Sequence, residues 1–314
     1  MTQPTDRKIW LDGRLVPWAQ ATVHVLSHSL QRGSLVFDYL SVHETPRGPA
    51  VFRLDDHLAR FRASTDLVGL PVERTPGELR PAVLETVLAN PGCTSVKISA
   101  FIPSIEVDVV PQDPRVAIAI AAYDARRDVI AHNPGKFPFA AEVKLWIEKE
   151  RRNRRADIMP AQAKVAANYT SPMVAKWRAR KNGYDEIVLV DEDGLLAEAP
   201  TSNVFLVDAH GALRTPEPER VLLGVTRRSV IELARHDGHA VHEEAIQPDA
   251  LFTTAEAFLT STSVGIWPVI SVDGKPIGDG TPGPVTRALR ERLRAIESGR
   301  VPEFDHWLAY AKDA

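Results

Sequence analysis

Residues 8–18 of this chain read Lys-Ile-Trp-Leu-Asp-Gly-Arg-Leu-Val-Pro-Trp, which puts Asp12-Gly13 between two short runs of β-forming residues. An Asp-Gly pair in that setting accepts the positive φ angles of a tight hairpin turn, so the fold opens in antiparallel β structure. The same device returns later: Asp193-Gly194 separates the runs 186–191 and 195–199, and Asp273-Gly274 ends a strand expected over 264–272. Further strands are expected over 35–43, 94–102, 115–123, 141–147, 203–207, 240–244 and 256–260. Leu54, Leu58, Phe61 and Leu67 recur at helical spacing, and a second helix is expected over 76–89 with Pro76 near its start. Others are expected over 171–182, stopping at Gly183, from about Thr226 to Gly238, and over 283–297. The short strands 186–191, 195–199 and 203–207 suggest a compact antiparallel sheet or a barrel-like domain.

Between 124 and 138 this pattern gives way to charges, Asn133-Pro134-Gly135 and Pro138. That predicts a first domain over 1–123, a linker over 124–138 and a second domain over 139–314. With 314 residues, 44% of them hydrophobic, the chain has enough apolar material for two cores. A formal net charge of -3 excludes a general nucleic-acid footprint, and the basic run 149–155 lacks interleaved aromatics, which makes it a solvated face. The single cysteine, Cys93, excludes an internal disulfide. No signal-like start and no apolar run of roughly 18 residues occurs, so the expectation is a cytoplasmic protein with no membrane partner. The ten histidines lack Cys or carboxylate partners at ligand spacing, and no metal is expected.

Four places hold more polar chemistry than a scaffold requires. Lys164 sits among Ala161, Ala163, Val165, Ala166 and Ala167, where an ammonium is poorly hydrated; it is either a surface lysine at a helix start or an amine poised as a nucleophile for aldehydes. Glu198, in Leu195-Leu-Ala-Glu-Ala-Pro-Thr-Ser-Asn203, is either an exposed turn acid or a buried carboxylate needing a cation such as a protonated pyridine nitrogen. Leu223-Gly224-Val225-Thr226 leads into a helix, whose free amides and dipole favour a phosphate while Gly224 permits close approach. Thr226 is equally a good N-cap. Thr260-Ser-Thr262-Ser263 offers hydroxyls and amides in one turn, and Arg60 is the guanidinium such an anion site would want, or else a surface charge.

Together, Lys164-Val-Ala-Ala-Asn-Tyr169, Gly183-Tyr-Asp-Glu-Ile187, Ala197-Glu-Ala-Pro-Thr-Ser-Asn-Val-Phe205, Leu223-Gly-Val-Thr-Arg227 and Ser261-Thr-Ser-Val-Gly-Ile-Trp-Pro-Val269 resemble the pyridoxal-phosphate (PLP) enzymes of fold type IV. This family contains branched-chain aminotransferases, D-amino-acid aminotransferases, (R)-amine transaminases and aminodeoxychorismate lyases. The resemblance runs from Trp10 to about Arg290, and the segment 48–60 is close to the branched-chain group. It implies an α+β fold with a small α/β N-terminal domain and a larger pseudobarrel domain, working as a homodimer. By the same resemblance Lys164 holds PLP as a Schiff base and moves the proton, Glu198 pairs with the pyridine nitrogen, and Tyr169 lies near the cofactor's phenolic oxygen. Arg60, Gly224, Val225, Thr226 and Thr262 then hold the phosphate.

The substrate half departs from the family. Branched-chain enzymes usually carry a tyrosine where this chain has Arg32, Phe-Glu-Gly where it has Phe37-Asp38-Tyr39, and a carboxylate-binding arginine where it has Ser99. Arg32, Tyr39, Lys97, Ser99 and Ser263 are the candidate substrate residues, with Arg32 or Lys97 replacing the missing arginine. Lys97 and Ser99 share a face because strand side chains alternate. The activity implied is transfer of an amino group from an amino acid or amine to a 2-oxo acid by a ping-pong cycle. Within the fold the alternatives are an (R)-selective amine or D-amino-acid transaminase, and then an aminodeoxychorismate lyase. A non-catalytic binding protein on the same scaffold would be free to lose Lys164 and Glu198.

Overall fold

The structure, a computed structural model, describes residues 6–132, 140–153, 155 and 157–313. Residues Asn133, Pro134, Gly135 and Pro138 of the expected linker lie outside the described residues, as does Arg154 of the basic run. The chain forms two compact units. One gathers residues 1–138, 163–167 and 295–314; the other holds 139–162 and 168–294. The division expected from the sequence thus differs at two places, since five residues around Lys164 and the last twenty group with the N-terminal part.

In the first unit, β1 (Lys8–Leu11) and β2 (Arg14–Pro17) form the expected hairpin. Its two-residue turn has Asp12 at φ 47° and Gly13 at φ 102°, the left-handed angles that an Asp-Gly pair tolerates. A short helix, α1 (His28–Arg32), precedes β3 (Val36–Thr45), which turns back as β4 (Gly48–Phe52). Then come α2 (Leu54–Leu67), α3 (Pro76–Leu88), β5 (Ser95–Phe101) and β6 (Ala117–Tyr123). A reciprocal box starts α3: Thr75 Oγ1 accepts from Glu78 N–H while Glu78 accepts from Thr75 N–H. Among the described residues the sheet has seven strands, in the order of the C-terminal strand Leu308–Tyr310, β4, β3, β5, β6, β1 and β2. Val36, Leu40, Val96, Ile98, Ile118 and Ile120 are all 2% exposed or less, forming the apolar face against which α2 and α3 pack.

The second unit contains β7 (Val143–Ile147), α4 (Thr170–Lys181), β8 (Glu186–Val188), β9 (Glu198–Ala199), β10 (Ser202–Val207) and β11 (Leu213–Thr215). These are followed by α5 (Val225–His236), β12 (Val241–Glu243), β13 (Glu256–Ser261), β14 (Gly265–Val272), β15 (Lys275–Pro276) and α6 (Pro284–Glu297). The expected antiparallel cluster of 186–191, 195–199 and 203–207 is present: Leu189 N–H donates to the Glu198 carbonyl and Ala197 N–H to the Leu189 carbonyl, both at 2.9 Å, Val190 bridges antiparallel to Leu196, and β9 pairs antiparallel with β10. β10 also pairs antiparallel with β11 and β13, and the departure from an all-antiparallel sheet is that β8 runs parallel to β7, which runs parallel to β14. The reason is the connection: α4 lies between β7 and β8, and a crossover of that length returns the chain in the same direction. Asp191 accepts from Asp193 N–H at 3.0 Å and Leu195 N–H at 2.9 Å, so its carboxylate, with Gly194, makes the turn there.

The core of this unit is made by Val143, Leu145, Val188, Leu196, Val204, Leu206, Leu259 and Val272, each 1% exposed or less. The basic run meets acids at the surface, Lys149 with Asp273 at 3.3 Å and Arg155 with Asp157 at 2.6 Å, as a solvated face would. No helix among the described residues is long and apolar enough to cross a membrane.

Candidate active site

Lys164 belongs to the first unit because its main chain is bound to β3. The Lys164 carbonyl accepts from Phe37 N–H at 3.1 Å, its own N–H donates to Ser64 Oγ at 3.0 Å, and Ala166 N–H donates to the Leu35 carbonyl at 2.8 Å. Val165 forms an isolated antiparallel bridge with Val36, which joins 163–167 to the start of β3. The Lys164 side chain is half-buried, and its Nζ lies 5.1 Å from the centroid of the Phe37 ring.

β3 alternates strictly around this point: Phe37 and Tyr39 project from one face, Asp38 from the face covered by helices. Asp38 is fully buried and accepts from Arg60 Nε at 2.8 Å, Arg60 Nη2 at 2.7 Å and His57 Nδ1 at 2.7 Å. Burial alone would raise its carboxyl, but the Arg60 charge and the bonds from His57 and Arg60 outweigh it, holding the pKa well below the carboxylate range. The carboxylate is therefore ionised and can only accept, so His57 Nδ1 carries a hydrogen. Burial in turn keeps His57 below its ordinary pKa despite the acid beside it. Arg60 is thus a buried helix residue whose fork is fixed by Asp38, an arrangement the sequence reading did not anticipate.

Register gathers three of the expected substrate residues on the open face. Tyr39 stands opposite Lys97, Phe37 opposite Ser99, and β6 adds Ala121 and Ala119 beside them. The Tyr39 hydroxyl meets Ser95 Oγ at 2.5 Å. Lys97 Nζ lies 4.6 Å from the same Phe37 centroid that Lys164 approaches. Burial, and secondarily the Lys164 charge, lowers the Lys97 pKa. Arg32 is exposed at the end of α1, and its Nη2 donates to the Val107 carbonyl at 2.7 Å, which ties down the loop after β5.

In the second unit, Glu198, Asn203 and Thr260 stand in one row across β9, β10 and β13. Glu198 is 4% exposed, which makes it a buried acid and not a turn acid. It accepts from Leu222 N–H at 3.1 Å and from Asn203 Nδ2 at 3.3 Å, and Asn203 also donates to the Leu222 carbonyl at 2.9 Å. Asn203 therefore ties the acid to the segment that starts α5; its place at the head of the apolar run Val204-Phe-Leu-Val207 was the available signal. The N-cap of α5 is Gly224, with no side-chain cap, so Thr226 is not the cap expected of it but a buried residue in the first turn. A Cβ on Gly224 would lie 2.1 Å from Asn203 Oδ1 and 3.2 Å from Arg227 Cβ, so close packing demands glycine here. Thr262 and Ser263 form the turn between β13 and β14, and Thr260 Oγ1 is buried without a hydrogen-bond partner among the described residues. Tyr169 ends a single 3-10 turn before α4 and is half-buried.

The donors and acceptors suit PLP. The uncapped amides of α5 with the Thr226 hydroxyl fit a phosphate, the buried Glu198 carboxylate fits a protonated ring nitrogen, and a half-buried lysine amine fits an aldehyde.

The family model for amino-transferase class IV matches residues 35–272. The branched-chain-amino-acid aminotransferase of Salmonella typhimurium is 31% identical, with 98% of each chain covered. Among solved structures, the branched-chain amino acid aminotransferase from Thermobaculum terrenum in its PLP-form superposes with a TM-score of 0.86 at 29% identity, covering 98% of this chain and 99% of that one. The branched-chain aminotransferase of Thermoproteus uzoniensis with norvaline gives 0.87 at 32% identity, with 96% and 98% covered. With three quarters of its length matched by that model, the chain belongs to the class IV aminotransferases and is a transaminase of fold type IV.

Proposed function

We propose that this transaminase uses PLP to move the amino group of an aliphatic, branched-chain-type amino acid to a 2-oxo acid, as a cytoplasmic homodimer. The observation that carries the reading is Lys164, whose main chain is fixed to β3 while its half-buried amine stands over Phe37. The names of the relatives support the substrate class, and the PLP-form of the Thermobaculum terrenum enzyme supports the cofactor. Val25, Leu26, Leu30, Val107, Val109 and Val110 are all exposed, on two segments joined by the bonds of His28 to the Val109 carbonyl and of Arg32 to the Val107 carbonyl, which supports a second copy as partner.

When bound, PLP supplies a carbonyl that captures the amine and a ring that withdraws electrons from the substrate Cα. Lys164 Nζ would hold the cofactor, and as a free amine it would take the substrate Cα proton and return it to the product. The Glu198 carboxylate would keep a proton on the ring nitrogen. The α5 amides, Thr226, Thr262 and Arg60 would hold the phosphate, Gly224 would permit its close approach, and Tyr169 would serve the phenolic oxygen. Tyr39, Ser99 and Ser263 line the substrate side.

Purified protein should be yellow, and borohydride should fix the colour to the peptide containing Lys164. Lys164→Ala should abolish turnover. Donors of both configurations, with pyruvate and 2-oxoglutarate as acceptors, decide between L-amino acids, D-amino acids and (R)-amines. Label recovered on another lysine would remove Lys164 from this role.

A further inference from the structure

We infer that Lys97 is the residue that binds the substrate carboxylate, taking the place of the arginine missing at Ser99. The inference rests on the transaminase reading above and names the recognition element of that same site.

Lys97 lies in the middle of β5, flanked by β3 and β6, so its backbone is held on both sides and its side chain must rise from the open face. The residue directly opposite on β3 is Tyr39, yet the ammonium leans diagonally over Phe37, 4.6 Å from the ring centroid. Lys164 Nζ stands 5.1 Å from the same centroid. One aromatic ring therefore carries two amines, one from the candidate nucleophile and one from the neighbouring strand. A carboxylate on the carbon that bears the reacting nitrogen lies close to that nitrogen, and Lys97 is the ammonium that shares the Phe37 ring with it.

The energetics point the same way. Among the described residues Lys97 has no carboxylate and no hydrogen-bond acceptor, only the weak attraction of the ring face. A partly buried ammonium without an anion is unfavourable, and Lys164 makes it more so, which is what its lowered pKa records. An incoming carboxylate supplies what is missing. Beside Lys97 on β6 stand only the methyls of Ala121 and Ala119, which leave room for it. Arg32 does not compete, since its guanidinium is engaged with Val107 at the end of α1. A point charge replaces a planar fork, so the site grips a carboxylate without the two-bond orientation that arginine imposes.

The test compares leucine, in both configurations, with 3-methylbutylamine, which is leucine without its carboxylate, in single-turnover half-reactions of the PLP-loaded enzyme. Binding of 4-methylvalerate, followed by the cofactor absorbance, reports the carboxylate alone. For Lys97→Met, kcat/KM for the reactive leucine should fall roughly 10- to 100-fold, the range of one charge-assisted bond, with 4-methylvalerate weakened to match. The amine should change by less than about threefold, and Lys97→Arg should recover most of the loss. Equal losses for leucine and the amine, unchanged leucine kinetics, or unchanged 4-methylvalerate affinity would overturn the assignment. A wild-type protein that forms no lysine-bound PLP overturns the transaminase reading itself, a result separable from a coloured, active enzyme indifferent to Lys97.

Discussion

Asp38→Asn is the substitution whose effect can be worked most fully from the coordinates. Asp38 is completely buried and accepts three bonds of 2.7–2.8 Å, two from Arg60 and one from His57, while the Arg60 side chain is only 10% exposed. Asparagine keeps the shape and one acceptor oxygen but removes the charge that pairs with the Arg60 guanidinium. Breaking a buried ion pair from one side costs about 3–5 kcal/mol, and the retained oxygen places this case near the lower end, ~3 kcal/mol. For a chain of this size, with a urea slope of roughly 3 kcal/mol per molar, the unfolding midpoint should drop by about 1 M.

The acid side supplies a second signature. A carboxyl whose folded pKa is depressed stabilises above its unfolded value, near 3.8, and loses that contribution as pH falls below it. The gap between wild type and Asp38→Asn should therefore be full at neutral pH and narrow steadily below about pH 4. Asp55→Asn on α2, the helix that carries His57 and Arg60, is the control, because Asp55 is 77% exposed and its bond to Arg80 is a surface pair, expected to change stability by less than about 0.5 kcal/mol. If Asp38→Asn unfolds with Asp55→Asn, or keeps the wild-type acid profile, the buried carboxylate is not what holds Arg60.

Two further outcomes concern the second unit. Glu198→Gln should keep PLP bound but turn over on the order of a hundredfold more slowly, since each 1.4 kcal/mol of lost stabilisation is about tenfold; near-normal kcat would leave the acid only a structural role. Gly224→Ala places a methyl where Asn203 Oδ1 stands, 2.1 Å away, so Asn203 must swing off Glu198 and Leu222. PLP should then dissociate about tenfold more readily on dialysis, and unchanged retention would show that the segment can relax freely.

The parts of the fold that were legible in the sequence are those specified by neighbours in the chain. Asp12-Gly13 determines its hairpin because only such residues sit comfortably at φ 47° and 102°, and the apolar spacing of Leu54, Leu58 and Phe61 sufficed for α2. Pairing between distant segments was not legible. Nothing in Lys164-Val165-Ala166 says that it will bridge to Val36, and nothing in Glu186–Val188 says that its partner runs parallel. The position of Asp38 was readable, had the alternation been carried through: Val36, Asp38 and Leu40 share the buried face, and an acid between two apolar neighbours there needs a cation. The bond from Arg32 to the carbonyl of Val107 was not legible either, since that partner lies 75 residues away.

The stitching of residues 163–167 to β3 bears on motion. In the role proposed for Lys164 its amine gives up one covalent partner and takes another, and if the backbone travelled too, each return would be a new search. Here the Cα of Lys164 is a fixed pivot, clamped by Phe37 and Ser64 at the residue itself and by Val36 and Leu35 just beyond it. Only the side-chain torsions remain to swing the nitrogen along a short arc. The orientational freedom that would slow recapture is surrendered once, when the chain folds, and not again at every turnover.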